Sequence, residues 1–192
     1  MNVQNKTVLI TSASRGIGRA LVSEALRRGA TKVYAGTRFA LPRTDTRVAP
    51  LRLDATSASP VQRAVDEIDT LDVLINNGGV ALYDDLSDLD AIEHLAVNAL
   101  GALRVTHAFL PLLTRAQGAI VNSTPSAALA AHMTRSLRVL LAGQGVTIHT
   151  VVLEMPAAAA AQSAAQRIFD GLENGEDDIF HRFADFMQKP AA

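Results

Sequence analysis

The chain has 192 residues, 18 Lys and Arg against 19 Asp and Glu, and a formal net charge of −1, with 48% hydrophobic and 19% charged residues. That length suits one domain with a sizeable core. Without a basic excess no nucleic-acid partner is expected, and without an apolar run of spanning length no membrane partner is expected. There is no cysteine, which excludes disulfides and thiolate chemistry. The N-terminal stretch, Met1-Asn2-Val3-Gln4-Asn5-Lys6, lacks the apolar core of a signal peptide, so a cytoplasmic location is the expectation.

Lys6 to Thr11 reads as a strand buried on both faces, because its apolar residues are consecutive rather than alternating. It runs into Thr11-Ser12-Ala13-Ser14-Arg15-Gly16-Ile17-Gly18, a turn of small residues that opens a helix over about 16–28. A turn of this kind suits phosphate: glycine lets the backbone approach a pyrophosphate, and the helix N-terminus offers free N–H groups and positive dipole. Along that helix Ile17, Leu21 and Ala25 share one side, Arg19, Arg27 and Arg28 are expected largely outside, and Gly29 ends it.

Further strands are predicted at Lys32 to Thr37 and Val48 to Asp54. Ser59-Pro60-Val61-Gln62 then carries a helix start, with Ser59 as N-cap and Pro60 first in the helix. A fourth strand, Leu71 to Asn76, leads into Asn76-Asn77-Gly78-Gly79. Residues 88–116 hold a long helical pattern with Leu95, Asn98, Leu103 and Leu110 along it. A fifth strand follows at Gly118 to Thr124. The helix predicted from Ala127 to Ala142 has Leu129, Met133, Leu137 and Leu141 at i+4 steps, with His132, Arg135 and Arg138 on the other side. A sixth strand runs from Val146 to Leu153. The tail passes through the alanines of 157–161 and a helix to Leu172, then ends acidic and aromatic over Asp177 to Lys189. Alternation of this kind predicts a doubly wound α/β domain of Rossmann type, a parallel sheet between two helix layers, with ligands at the carboxyl ends of the strands.

These motifs together resemble the short-chain dehydrogenase/reductase family over nearly the whole chain. Thr11, Gly16 and Gly18 match its Thr-Gly-x-x-x-Gly-x-Gly pattern, with Ser12 in place of the first glycine. Asn76-Asn77-Gly78-Gly79 matches Asn-Asn-Ala-Gly, Asn98 stands at the family's helix asparagine, and Ile120-Val121-Asn122 matches the strand leading to the catalytic serine. The resemblance implies a dinucleotide held by Thr11, Ser12, Ser14, Arg15, Gly16, Ile17, Gly18, Arg38, Asp54, Ala55, Asn77, Gly78 and Gly79, with Asp54 closing over the adenine. The second strand ends in Gly36-Thr37-Arg38, without the carboxylate that would hold both ribose hydroxyls and repel a 2′-phosphate. Arg15 and Arg38 suit that phosphate instead, since guanidinium donates in a planar fork. NADP(H) is therefore expected over NAD(H).

The family's proton donor, a Tyr-x-x-x-Lys pair on the helix after the fifth strand, is not found. The tyrosines are Tyr34 and Tyr83, and the lysines Lys6, Lys32 and Lys189. Aligning His132-Met133-Thr134-Arg135-Ser136-Leu137 on the family helix and counting back puts Ala127 at the lysine and Ser123 at the tyrosine. Ser123 also belongs to the strand end counted from the other side, so the catalytic loop and first helical turn read as excised. Thr124 or Ser126 is left to present a hydroxyl near the family serine, Asn98 to support a relay, and Tyr83 to act as a substitute acid. Glu154-Met155-Pro156 stands where the family has a Pro-Gly turn and a substrate lid. The five histidines show no metal-site spacing, so no metal is expected, and His149 reads as a structural residue.

Three functional readings remain open at this point. One is a pared-down oxidoreductase with weak or no turnover. Another is an active reductase using Tyr83 or water. The last is a non-enzymatic cofactor-binding or scaffold protein. Apolar surface on residues 88–116 and 127–142 leads to the expectation of a homodimer through those helices.

Overall fold

The computed structural model describes residues 1–42, 45–78, 89–124, 127–153 and 161–181. The apolar runs form β1 (Thr7–Ile10), β2 (Lys32–Thr37), β3 (Val48–Arg52), β4 (Val73–Asn77), β5 (Ala119–Thr124) and β6 (Thr147–Leu153), joined by β7 (Asp178–His181). The helices are α1 (Gly16–Arg27), α2 (Ala58–Asp66), α3 (Leu89–Ala116), α4 (Ala127–Leu140) and α5 (Ala161–Asn174). All pairings are parallel, in the order β3-β2-β1-β4-β5-β6-β7. The predicted doubly wound Rossmann-type architecture is thus the observed one. The strand order reverses between β1 and β4, and the crevice at the carboxyl ends of those two strands is where such sheets take ligands.

Side-chain alternation divides the core into two layers. Val8, Ile10, Val73, Ile75, Val121 and Val151 face α1 and α5, where they meet Leu21, Ala25, Ala164 and Ile168. Leu9, Leu74, Ile120 and Ile148 face α2, α3 and α4, against Val61, Val105, Phe109 and Leu137. Each such fully buried aliphatic or aromatic side chain contributes about 1.5–3 kcal/mol through removal from water.

Four local expectations need correction. Arg28 does not point outward: its side chain is only 12% exposed. It donates to Glu24 on its own helix at 2.7 Å and to Asp170 and Glu173 of α5 at 2.6 and 2.7 Å, with its guanidinium 5.7 Å from the Phe169 ring. Glu24 is itself fully buried, and the guanidinium of Arg27, then that of Arg28, hold its carboxyl below the usual range against the opposing effect of burial. A charge so placed is tolerated because it is paired and hydrogen-bonded, and the network ties α1 to α5.

Second, α2 begins at Ala58 with Ser57 as N-cap, not at Pro60. The turn closed by Ser57 N–H to the Asp54 carbonyl at 3.2 Å delivers the chain to the helix early. Pro60 is accommodated within the first turn, where no intrahelical N–H bond is lost. Third, Arg138 is half-buried and donates to the carbonyls of Ile148 and Asp177, clamping α4 to the β6–β7 edge. Fourth, the acidic tail contains β7, which was not predicted. Its four residues alternate exposed and buried, Ile179 being fully inside. A Cβ on Gly171 of α5 would lie 2.5 Å from Ile179 Cγ1, so the helix packs directly on this strand.

His149 of β6 is the structural histidine expected of it. It is 3% exposed, with Nδ1 2.6 Å from the Glu176 carbonyl and Nε2 3.2 Å from Thr147 Oγ1. Burial pushes its pKa below the ordinary 6.5. The folded chain therefore binds fewer protons here than the unfolded one, so the stability present above pH 6.5 declines as pH falls from there to the folded value. Glu24 and Glu176, both held below 4.5, respond only in stronger acid. Thermal melts should lose stability as pH falls below about 6.5, and His149→Gln should flatten that slope. An unchanged slope in the variant would assign the proton uptake elsewhere.

Candidate functional site

The turn after β1 is held from both neighbouring strands. Ala13 N–H donates to the Gly36 carbonyl of β2 at 3.0 Å, and Thr11 N–H to the Ile75 carbonyl of β4 at 3.0 Å. Thr11 Oγ1 donates to the Asn77 carbonyl at 2.9 Å and accepts from Asn77 N–H at 3.0 Å, while Asn77 Nδ2 donates to the Thr11 carbonyl at 3.2 Å. The threonine and asparagine thus lock the carboxyl ends of β1 and β4 together at the strand-order reversal.

Within the turn the backbone is left-handed at Ser12 (φ +53°) and Gly16 (φ +53°). Glycine takes this conformation without penalty; serine takes it at a cost of about 1 kcal/mol. Gly18 is needed for close approach, since a Cβ there would fall 2.2 Å from the Ser12 carbonyl oxygen and 2.9 Å from Asn77 Nδ2. Around Gly16 a Cβ would meet nothing within 4 Å, so the turn opens outward. The N-cap of α1 is Arg15, extended and without a side-chain cap, and Ser12, Ser14, Arg15 and Gly16 are exposed. Ile17, by contrast, is buried and anchors the first helical turn to the core. The first N–H groups of α1 are left for a ligand, and an anion is the species they favour.

The rim beside this turn is built by the ends of β2 and β3. Asp54 accepts from Thr56 N–H at 3.0 Å and Thr56 Oγ1 at 2.7 Å. These bonds hold its carboxyl below the usual range, and the charges of Arg38 and Arg104 lower it further. The half-buried Ala55 gives its carbonyl to Arg104 of α3, and a Cβ on Gly101 would come within 3.1 Å of Ala55 Cβ. Gly101 and Arg104 were missed from the sequence; their i, i+3 spacing on α3 was the available signal. Arg38 is exposed, its guanidinium 5.8 Å from the ring centroid of Phe39. A groove of about 450 Å³ is lined by Arg38, Phe39, Pro50 and Arg52 among others.

The remaining predicted residues are less assembled. Gly78 follows β4, with a Cβ position 3.5 Å from Ser12 Oγ, and so borders the turn. Thr124 closes β5 in register with Val152. Asn98 is half-buried on α3, and its Nδ2 is buried without a hydrogen-bond partner among the described residues. Tyr34 lies in β2, its hydroxyl pKa raised by burial, and packs against the α2/α3 core away from the crevice. Gly79, Tyr83, Ser126 and Glu154-Met155-Pro156 lie outside the described residues. Among the described residues no three His, Asp or Glu side chains converge on a metal position, and no helix is long and apolar enough to cross a membrane.

This arrangement agrees with what the chain is similar to. A solved short-chain dehydrogenase from Burkholderia cenocepacia J2315, described in complex with NADP, superposes with a TM-score of 0.84 at 29% identity, over 97% of this chain and 92% of that one. A Streptomyces avermitilis short-chain dehydrogenase shares the fold at TM-score 0.74 and 20% identity, covering 97% of this chain and 91% of that one. A short-chain dehydrogenase/reductase of Pestalotiopsis microspora is 28% identical over 95% of this chain and 70% of its own length. The NADP-dependent 3-hydroxy acid dehydrogenase of Schizosaccharomyces pombe is 32% identical over 62% of this chain and 54% of its own. The chain spans 29% to 54% of the length of several such curated relatives. Residues 6–168 match the family model described as short chain dehydrogenase, and with the sheet order and the turn after β1 they establish that the chain belongs to the short-chain dehydrogenase family.

Proposed function

We propose that the chain binds a nicotinamide dinucleotide, NADP(H) in preference to NAD(H), and is an oxidoreductase by descent with little or no carbonyl turnover. The observation that carries the binding is the uncapped N-terminus of α1 behind a left-handed turn that opens outward at Gly16. Thr11, Ser12, Ser14 and Gly16 to Gly18 would hold the pyrophosphate, Asp54 and Ala55 the adenine side, and Asn77 to Gly79 the path towards the nicotinamide. Preference for NADP(H) is supported by Arg15 and Arg38 and by the absence of an acid at the end of β2. The NADP complex of the Burkholderia protein supports it as well.

When bound, the cofactor supplies the hydride; the chain would have to supply the proton. A positioned general acid contributes about 10²- to 10⁴-fold. The helix that carries the family's tyrosine and lysine begins here at Ala127, three residues after β5 ends, and the sequence over 125–142 contains neither. Holding NADPH beside a carbonyl retains the benefit of proximity, so a residue of hydride transfer is compatible with this reading. Self-association through α3 and α4 is part of the same proposal. Leu100 and Leu103 on α3 and Val139 and Leu140 on α4 are 58%, 36%, 76% and 67% exposed, which favours a covered face.

Arg38→Asp should weaken NADPH by about tenfold or more and leave NADH equal or tighter, because a carboxylate there repels a 2′-phosphate and accepts from ribose hydroxyls. Equal loss of both nucleotides in calorimetric titration would remove Arg38 from this role. With NADPH and activated ketones, turnover should be lower than in relatives that carry the Tyr-x-x-x-Lys pair by about two orders of magnitude or more. Robust turnover abolished by Tyr83→Phe would instead establish Tyr83 as the acid. Light scattering should report a dimer at high micromolar concentration, and a monomer there defeats the self-association.

A further inference from the structure

We infer that Arg52, at the end of β3, is a second specificity-determining charge for the 2′-phosphate, bordering the same groove as Arg38. This rests on the NADP(H) reading and extends it to a residue on a different strand. Register pairs Arg52 with Thr37, the last residue of β2, immediately before Arg38. Leu51 and Leu53 on either side of Arg52 are 1% and 4% exposed and pack into the α2/α3/α4 layer. Strand alternation therefore turns Arg52 to the opposite face. That is the face on which Val48 joins the core layer that also holds Ile17 and Leu21 of α1.

Two guanidiniums border the groove. Arg52 is exposed and, among the described residues, has no ion pair or side-chain hydrogen bond. A phosphate monoester carries a charge of about −1.5 to −2 at neutral pH, more than one guanidinium balances. Two planar forks lining one groove of about 450 Å³ can share its oxygens, which a ribose hydroxyl cannot exploit. The apolar wall formed by Phe39, Ala40, Leu41 and Pro50 lowers the local dielectric and strengthens both contacts.

The test titrates NADPH, NADH, adenosine 2′,5′-bisphosphate and AMP into the wild-type protein, Arg52→Ala and Arg52→Lys, with melting curves to verify folding. Wild type should prefer NADPH to NADH. Arg52→Ala should weaken NADPH and the bisphosphate by about tenfold while NADH and AMP change by less than about twofold. Arg52→Lys should recover part of the loss, since it restores the charge without the fork. NADPH binding should also depend less steeply on salt in Arg52→Ala than in wild type. A wild type that prefers NADPH and an Arg52→Ala variant that keeps the full preference would overturn the inference and leave the cofactor reading standing. Parallel loss of NADH would overturn it too, by making Arg52 a wall of the groove rather than a reader of phosphate. A wild type with no preference would sink the cofactor reading itself, and the inference with it.

Discussion

The interlock of Thr11 with Asn77 is the constraint on which the crevice depends. β1 and β4 are neighbours whose connections leave in opposite directions, so their carboxyl ends would splay without a tie. Three hydrogen bonds between these two residues supply that tie, two through a hydroxyl that both donates and accepts. With the strand ends fixed, α1 can approach the turn so closely that Gly18 admits no Cβ. The free N–H groups of α1 are then aimed by packing rather than by a capping side chain. An N-cap aspartate would satisfy those groups internally and weaken the field that attracts an anion.

Ser12 shows the cost of the arrangement. It occupies a left-handed conformation where the family has glycine, and the hydrogen bonds on either side of it hold it there. Strain of about 1 kcal/mol is small beside the energy of the surrounding core, which explains why the turn survives the substitution. The serine side chain stays exposed at the mouth of the turn, bordering Gly78. A residue larger than glycine at 78 would narrow the same opening from the other side.

Most of the fold was legible because its signals are long and consistent. Runs such as Val8-Leu9-Ile10 and Ile120-Val121 are buried on both faces, and the i+4 apolar spacing of α4 has only one structural meaning. What escaped was set by tertiary contact. Arg28 reads as a surface residue from its helix alone, and only α5, some 140 residues further on, supplies the carboxylates that bury it. β7 is four residues long and half polar, and it exists because Gly171 lets α5 lie against Ile179. At the site, the turn was readable from glycine spacing. Arg104 and Gly101 were not, since their partner is a backbone carbonyl and a methyl group in a loop distant in sequence.

The two halves of the molecule are held by different means. Around the nucleotide crevice the contacts are short, polar and tied to backbone, so their geometry tolerates little change. At the far edge, α4, β6, β7 and α5 are joined by arginines that reach carbonyls and carboxylates across elements: Arg138 to Ile148 and Asp177, and Arg167 to Glu176 and Phe180. These staples close the sheet edge without residues from the carboxyl ends of β5 and β6, where substrate chemistry resides in this family. The apolar layers beneath Leu74, Ile120 and Ile148 are complete on their own. Stability at the far edge is therefore carried by residues other than those that border the crevice.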